Sequence, residues 1–241
     1  MAVLSGIAFS VTMPNRIGEY VGRLMYLPEG NRLKTIAVTM VGSFAQLLVT
    51  LLAGTAGLMV LKKNLLEHFK EFTLVAQFLQ YGLLLLCLFL IFLYFNVAGG
   101  VRVFKKWIRN QKYVYLVTAL HSFTTPLLLR LLLLSFVRYI IFMLQYLFVF
   151  YLFDVNVGVF TMLDVMSVVF LSMAVIPSIA LVEVWLRGEI IILLMGLFSA
   201  NTLGIGFTSV TIWCLNLILP AIAGSLLLLK LRVFNKRHET V

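Results

Sequence analysis

The run from Ile36 to Leu61 contains no charged residue, and it constrains the fold more than any other feature of the chain. A helix needs roughly 20 apolar residues to cross the hydrocarbon core of a bilayer. Because every backbone N–H and C=O group in hydrocarbon must be satisfied within the segment, the run predicts a membrane-spanning helix. Small residues that permit close helix packing lie along it at Gly42, Ser43, Ala45, Gly54, Ala56 and Gly57. We therefore expect this helix to lie inside a bundle.

Further apolar runs predict a protein that crosses the membrane several times. They extend over Thr73 to Ala98, Pro126 to Phe153, Val157 to Ile176 and Ile205 to Leu229. With 62% hydrophobic and 12% charged residues and a mean hydropathy of +1.08, the composition is far from that of a soluble domain. We expect one integral membrane domain over residues 1–241, of the all-α class, folded as a polytopic transmembrane helix bundle.

Basic residues, which give the chain its net charge of +10, gather in short segments between the apolar runs. The segment from Gly99 to Lys112 contains several arginines and lysines and no acid, and a second basic cluster lies between Lys230 and Arg237. By the positive-inside rule, loop 99–112 and the C-terminus should lie in the cytoplasm. This distribution indicates membrane topology and argues against nucleic acid as a partner.

Sequence motifs of common enzymes are missing from the chain, which has no GxSxG, HExxH or P-loop pattern. Cys87 and Cys214 lie within apolar runs without CxxC spacing, so they indicate neither a disulfide framework nor a metal site. Asp164 is a lone acid inside a span, and no second aspartate nearby completes a pair that would hold a metal-bound diphosphate. We assign no catalytic residue, metal ion or cofactor.

Two polar interruptions break the apolar pattern in the same way. Each consists of a proline, a following glutamate and an arginine four residues after the glutamate: Pro14, Glu19 and Arg23, and again Pro177, Glu183 and Arg187. Proline breaks helices, and charged side chains are costly in hydrocarbon, so the two interruptions point to a polar site. Segments 14–23 and 177–188 therefore predict broken or re-entrant helices and an internal repeat.

The polar residues of these interruptions are spaced for ion pairs. On a helix that begins after Pro14, Arg16, Glu19 and Arg23 lie within about 60° of one another. A glutamate four residues before an arginine is the favourable orientation for an ion pair, and this applies to both copies. On the long helix after Pro126, Arg138 and Gln145 differ by about 20° and form one stripe, which we expect to face the protein interior.

Broken helices with free N-terminal amides near the middle of the membrane recur where transporters bind anionic groups. We therefore predict a lipid-headgroup site in which arginines contact phosphate while the glutamates hold them and contact an amine. The predicted residues are Arg16, Glu19, Arg23, Arg138, Gln145, Glu183 and Arg187.

The chain resembles the lysylphosphatidylglycerol synthase transmembrane-domain family, also called flippase-like membrane proteins. The resemblance rests on the segment from Pro14 to Arg23, on Leu134 to Tyr139 with the following Gln145, and on Ile176 to Gly188. It implies a bacterial plasma (inner) membrane protein that moves or binds a phospholipid, anionic or aminoacylated, made by a separate lipid-modifying enzyme. Members of this family usually have further transmembrane helices before the first motif, so we expect either a half-helix before Pro14 or additional sequence before Met1.

Two alternatives remain open. Some members of the family that the chain resembles look like glycosyltransferases, so the resemblance also allows a membrane glycosyltransferase or an accessory subunit that acts on a lipid-linked sugar. A third possibility is a purely structural subunit, in which Glu183 and Arg187 serve assembly alone.

Overall fold

The computed structural model describes residues 6–7, 32–68, 73–96, 123–176 and 180–226. All regular secondary structure within these ranges is helical, which confirms the predicted all-α class for this part of the chain. The helices used below are α1 (Arg32–His68), α2 (Thr73–Phe95), α3 (Thr125–Leu152), α4 (Val159–Val175), α5 (Ala180–Met195) and α6 (Thr202–Leu226).

Three of these helices are long and apolar enough to cross a membrane. The qualifying segments are Thr35–Lys62 in α1, Thr125–Leu152 in α3 and Thr202–Leu226 in α6. Two shorter apolar helical segments, Gln80–Phe95 and Val159–Val175, accompany them. Length and composition therefore support the predicted class of helical membrane protein.

Two predicted boundaries differ from the structure. Helix α1 continues past Leu61, where the charge-free run ends, to His68, because the residues after Leu61 include lysine, leucine and glutamate, which favour helices. Helix α5 runs without a break through Gly188, where the predicted broken segment 177–188 ends, and continues to Met195. A single glycine costs a helix only about 1 kcal/mol, which is too little to end it.

The centre of the bundle is the antiparallel packing of α1 on α4, the most extensive helix contact among the described residues. At Gly54 the α4 backbone is so close that an added Cβ would lie 2.9 Å from the Ser167 carbonyl oxygen. At Gly57 an added Cβ would lie 2.8 Å from the Asp164 carbonyl oxygen. The predicted close packing is confirmed at these two glycines. Gly42, which we expected to act in the same way, has no heavy atom of the described residues within 4 Å of that position.

One end of the bundle brings together the start of α1, the end of α2 and the start of α3. Ala37, Tyr94, Phe123 and Leu128 are buried there in one apolar cluster. The Tyr94 hydroxyl donates a hydrogen bond of 2.8 Å to the Leu128 carbonyl oxygen. This end flanks the segment that contains basic loop 99–112, so we call it the basic-loop end. Because α4 is antiparallel to α1, α4 also ends there and α5 begins there.

At the opposite end, Asn201 joins two helix connections. Its Oδ1 accepts a hydrogen bond of 2.9 Å from the Gly204 backbone N–H and caps the start of α6. Its Nδ2 donates to the carbonyl oxygens of Phe153 at 3.0 Å and Asp154 at 3.3 Å, in the connection between α3 and α4. One side chain therefore holds the α3–α4 connection against the α5–α6 connection.

Replacing Asn201 by alanine should lower the free energy of unfolding by about 1–2 kcal/mol, because the cap and both bonds to carbonyl groups are lost. The measurement is unfolding of the purified protein in mixed micelles, by titration with sodium dodecyl sulfate. Asn156→Ala is the matched control, since Asn156 is an exposed asparagine of the same α3–α4 connection. Equal losses for both variants would contradict the role of Asn201.

Candidate functional site

A cavity of about 570 Å³ lies between α1, α3, the end of α4 and the start of α5. Among the described residues, its charged lining residues are Arg138 from α3 and Glu183 and Arg187 from α5. Ile176, which follows α4, also borders it, so the cavity extends towards the basic-loop end of the bundle. The structure thus brings three of the predicted site residues to one cavity.

Glu183 and Arg187 form the predicted ion pair within the first turns of α5. Glu183 Oε1 accepts from Arg187 Nη2, and the two side chains are only 17% and 14% exposed. Arg187 Nη1 also donates to the hydroxyl of Tyr146 on α3, at 3.4 Å. The guanidinium is thus bonded to side chains of two helices, α3 and α5. Because Tyr146 is buried, the guanidinium points into the bundle. The pair fixes the direction of one cationic group at the cavity.

Arg138 lies at the edge of the cavity. Its side chain is exposed, and its guanidinium carbon lies 5.5 Å from the centre of the Phe142 ring, a cation–π contact. The prediction that its stripe faces the interior is wrong for this residue. The buried face of α3 is instead formed by the large side chains of Tyr139, Met143 and Tyr146. Arg138 lies about 100° from Tyr139 around the helix and therefore lies to one side of this face.

Gln145 is not brought to the cavity with Arg138. Its Oε1 accepts a hydrogen bond of 2.9 Å from Asn216 Nδ2 on α6. Asn216 lies in a π-helical turn, Cys214–Ile218. Pro220 explains this turn, because proline has no N–H for the Asn216 carbonyl and its ring clashes with that carbonyl in a regular α-helix. The structure therefore places Gln145 in a polar contact between α3 and α6.

Sequence reasoning missed the uncharged polar residues of the cavity, which include Gln46, Tyr139 and Tyr146. The Tyr139 hydroxyl donates to Ser167 Oγ at 2.8 Å, and Ser167 in turn donates to the Leu163 carbonyl at 2.7 Å. Two signals point to these residues. Gln46 is a lone amide in a span without charge, and the two tyrosines are seven residues apart and so share one helix face.

Several predicted features lie outside the described residues. These are the first interruption with Arg16, Glu19 and Arg23, the proline of the second interruption, loop 99–112 and the basic C-terminal tail. Within the described residues, no three histidine, cysteine, aspartate or glutamate side chains meet in a group that would hold a metal ion.

Comparison with known proteins gives no match. No protein-family model matches the sequence, and neither a curated protein nor a solved structure matches the chain. Function is therefore argued from the cavity and the side chains that line it.

Proposed function

We propose that the chain is a flippase-like membrane protein that binds an anionic phospholipid and moves it between leaflets, with the lipid phosphate at Arg138 and Arg187. One observation carries this proposal: a cavity beside α1 and α3, two helices long and apolar enough to span a membrane, joins Arg138 of α3 to the Glu183 and Arg187 pair of α5. Its volume of about 570 Å³ is within the usual size range of small-molecule sites.

The charges around the cavity favour a single negative charge. Among the described residues that line the cavity, two guanidinium groups and one carboxylate carry charge, and cations outnumber anions. Arginine binds phosphate through paired N–H groups, and it is the usual residue for such sites when they are partly buried. Glu183 keeps Arg187 in place and offsets part of the cost of burying its charge. A phosphodiester, which carries one negative charge, matches this arrangement.

The remaining lining of the cavity favours a lipid over a soluble anion. The apolar part of the lining, beside the charged groups, includes Leu47, Phe142, Phe170, Met173 and Ile176. A ligand that fills both parts has a charged headgroup and a hydrocarbon portion. Phosphatidylglycerol and its aminoacylated forms have this chemistry, and a separate lipid-modifying enzyme would supply the latter.

The proposal also includes the leaflet that the cavity faces and a second group of charged residues from the first interruption. If the basic loop at 99–112 and the C-terminus are cytoplasmic, the basic-loop end of the bundle and the cavity face the cytoplasmic leaflet of a bacterial plasma membrane. Arg16, Glu19 and Arg23 would then provide a second ion-paired segment, as one half of an internal repeat, for the same lipid.

Leaflet exchange of fluorescent phosphatidylglycerol in reconstituted liposomes tests the proposal. Arg138→Ala should lower the exchange rate roughly 10- to 100-fold, the factor expected for one hydrogen bond to a charged group. Dithionite quenching of the outer leaflet measures the rate. Arg130→Ala is the matched control, because Arg130 is exposed on the same helix and does not line the cavity.

Equal exchange rates for the wild type and Arg138→Ala would contradict the proposed function. Loss of a glycolipid on deletion of the gene, with unchanged leaflet distribution of phosphatidylglycerol, would instead favour the alternative role in lipid-linked sugar metabolism.

A further inference from the structure

Two buried polar atoms at the cavity have no hydrogen-bond partner within the part of the chain that the structure describes. They are Oε1 of Gln46 on α1 and Nε of Arg187 on α5. Both residues line the cavity. Buried polar atoms are bonded in the great majority of cases, and a protein carries the cost of an exception where a ligand completes the bond. One of these atoms is an acceptor and the other is a donor.

Neighbouring hydroxyl groups do not supply the missing donor for Gln46. Thr50, one turn away on α1, donates its hydroxyl proton to the backbone carbonyl of Gln46 at 2.9 Å. Tyr139, across the cavity on α3, donates its proton to Ser167 at 2.8 Å. Neither of these hydroxyl protons is available to the Gln46 side-chain oxygen, and a donor on the occupant of the cavity would complete its hydrogen bond.

The other nitrogens of the Arg187 guanidinium are already engaged. Nη2 is paired with Glu183 and Nη1 donates to Tyr146, so the Nε proton remains for an acceptor in the cavity. A phosphate oxygen meets this requirement and is consistent with the charge of the site. The occupant should thus present an anionic acceptor and a hydrogen-bond donor together.

We infer that the cavity selects a phosphodiester whose headgroup carries a hydroxyl or ammonium donor, and that Gln46 is the residue that recognises this donor. The phosphate oxygen accepts from Arg187 Nε, and the headgroup O–H or N–H donates to Gln46 Oε1. This inference rests on the proposed function and adds specificity to it. Headgroups with a phosphate but no donor, such as methyl phosphate esters, leave Gln46 unpaired and bind less well.

A pair of short-chain lipids isolates the donor. Dioctanoyl phosphatidylglycerol and dioctanoyl phosphatidylmethanol have the same charge and acyl chains, and only the former has hydroxyl groups. Thermal unfolding of the full chain in detergent, at increasing lipid concentration, gives the concentration for half-maximal stabilisation. The wild type should need a roughly tenfold higher concentration of the methanol lipid, the factor expected for one buried hydrogen bond.

Gln46→Leu should remove this preference, so that both lipids stabilise the variant at the same concentration. Gln46→Glu keeps an acceptor at the position and should retain the ratio between the two lipids, while its added negative charge should raise the half-maximal concentration of both. Gln80→Leu is the matched control, because Gln80 is a half-buried glutamine on α2 that does not line the cavity. In the absence of lipid, Gln46→Leu should unfold at or above the wild-type temperature, since it removes a buried acceptor without a partner.

Equal half-maximal concentrations of the two lipids for the wild type would overturn the inference, as would a preference that survives in Gln46→Leu. If both lipids stabilise equally and both need Arg138, the proposed function stands and only the role of Gln46 fails. If neither lipid stabilises the wild type, the proposed function fails as well. Soluble glycerophosphoglycerol, the phosphodiester headgroup without acyl chains, forms a separate arm: stabilisation as strong as that by the glycerol lipid would support the donor inference and overturn a lipid as its source.

Discussion

Replacing Arg187 by leucine should lower the free energy of unfolding by about 3–5 kcal/mol, because it removes the cation that pairs with the partly buried Glu183 carboxylate. The two side chains are only 17% and 14% exposed, so water cannot replace the lost partner fully. The hydroxyl of Tyr146 also loses the hydrogen bond that it accepts from Arg187. Titration with sodium dodecyl sulfate in mixed micelles measures the change.

Removing both charges should have a much smaller effect than removing one. The double variant Glu183→Leu/Arg187→Leu should be within about 1 kcal/mol of the wild type, since apolar residues of similar volume often replace a buried ion pair without loss. Glu189→Leu is a control for loss of an acid on the same helix, because Glu189 is exposed. A double variant as unstable as Arg187→Leu would contradict this account of the pair.

The same double variant separates stability from function. It should remain folded, yet it should lose the lipid exchange and the lipid-dependent stabilisation that need Arg187. If instead the folded double variant exchanged phosphatidylglycerol as fast as the wild type, the pair would serve assembly alone, which is the structural-subunit alternative.

Features set by local chemistry could be predicted from the sequence. The absence of charge between Ile36 and Leu61 predicted the helix that became the centre of the bundle, because hydrocarbon permits few other backbone conformations. The pairing of Glu183 with Arg187 was also predictable from the sequence. Side chains four residues apart on a helix are neighbours whatever the helix packs against.

Features set by packing between distant segments could not be predicted in the same way. The side of α3 on which Arg138 lies depends on which neighbouring stripe buries more surface, and the stripe of Tyr139 and Tyr146 does so. The bond between Gln145 and Asn216 joins positions on two helices that no sequence spacing relates. The unpaired oxygen of Gln46 becomes visible only when the donors of every surrounding helix are accounted for.

The glycines of α1 show the same division between local and distant causes. All of them are small, but only the partner helix decides which of them must be small. Gly54 and Gly57 meet the α4 backbone, whereas an added Cβ at Gly42 would have none of the described residues within 4 Å. A stripe of small residues therefore predicted that α1 packs closely, and the structure identifies the positions where it does.

Gly54→Leu should destabilise the protein by about 3 kcal/mol or more, because a side chain at this position forces α1 and α4 apart along their whole contact. Even a Cβ atom alone would overlap Leu171 and approach the Ser167 carbonyl oxygen to 2.9 Å, and the backbone of α4 cannot give way as a flexible side chain can.

Gly82→Leu is the matched control, since Gly82 is exposed on α2 with no described atom within 4 Å of an added Cβ. That variant should be neutral or more stable by up to about 1 kcal/mol, because leucine favours a helix more than glycine does. Detergent unfolding of the two variants side by side measures the difference, and equal stability would show that the α1–α4 contact does not hold the bundle together.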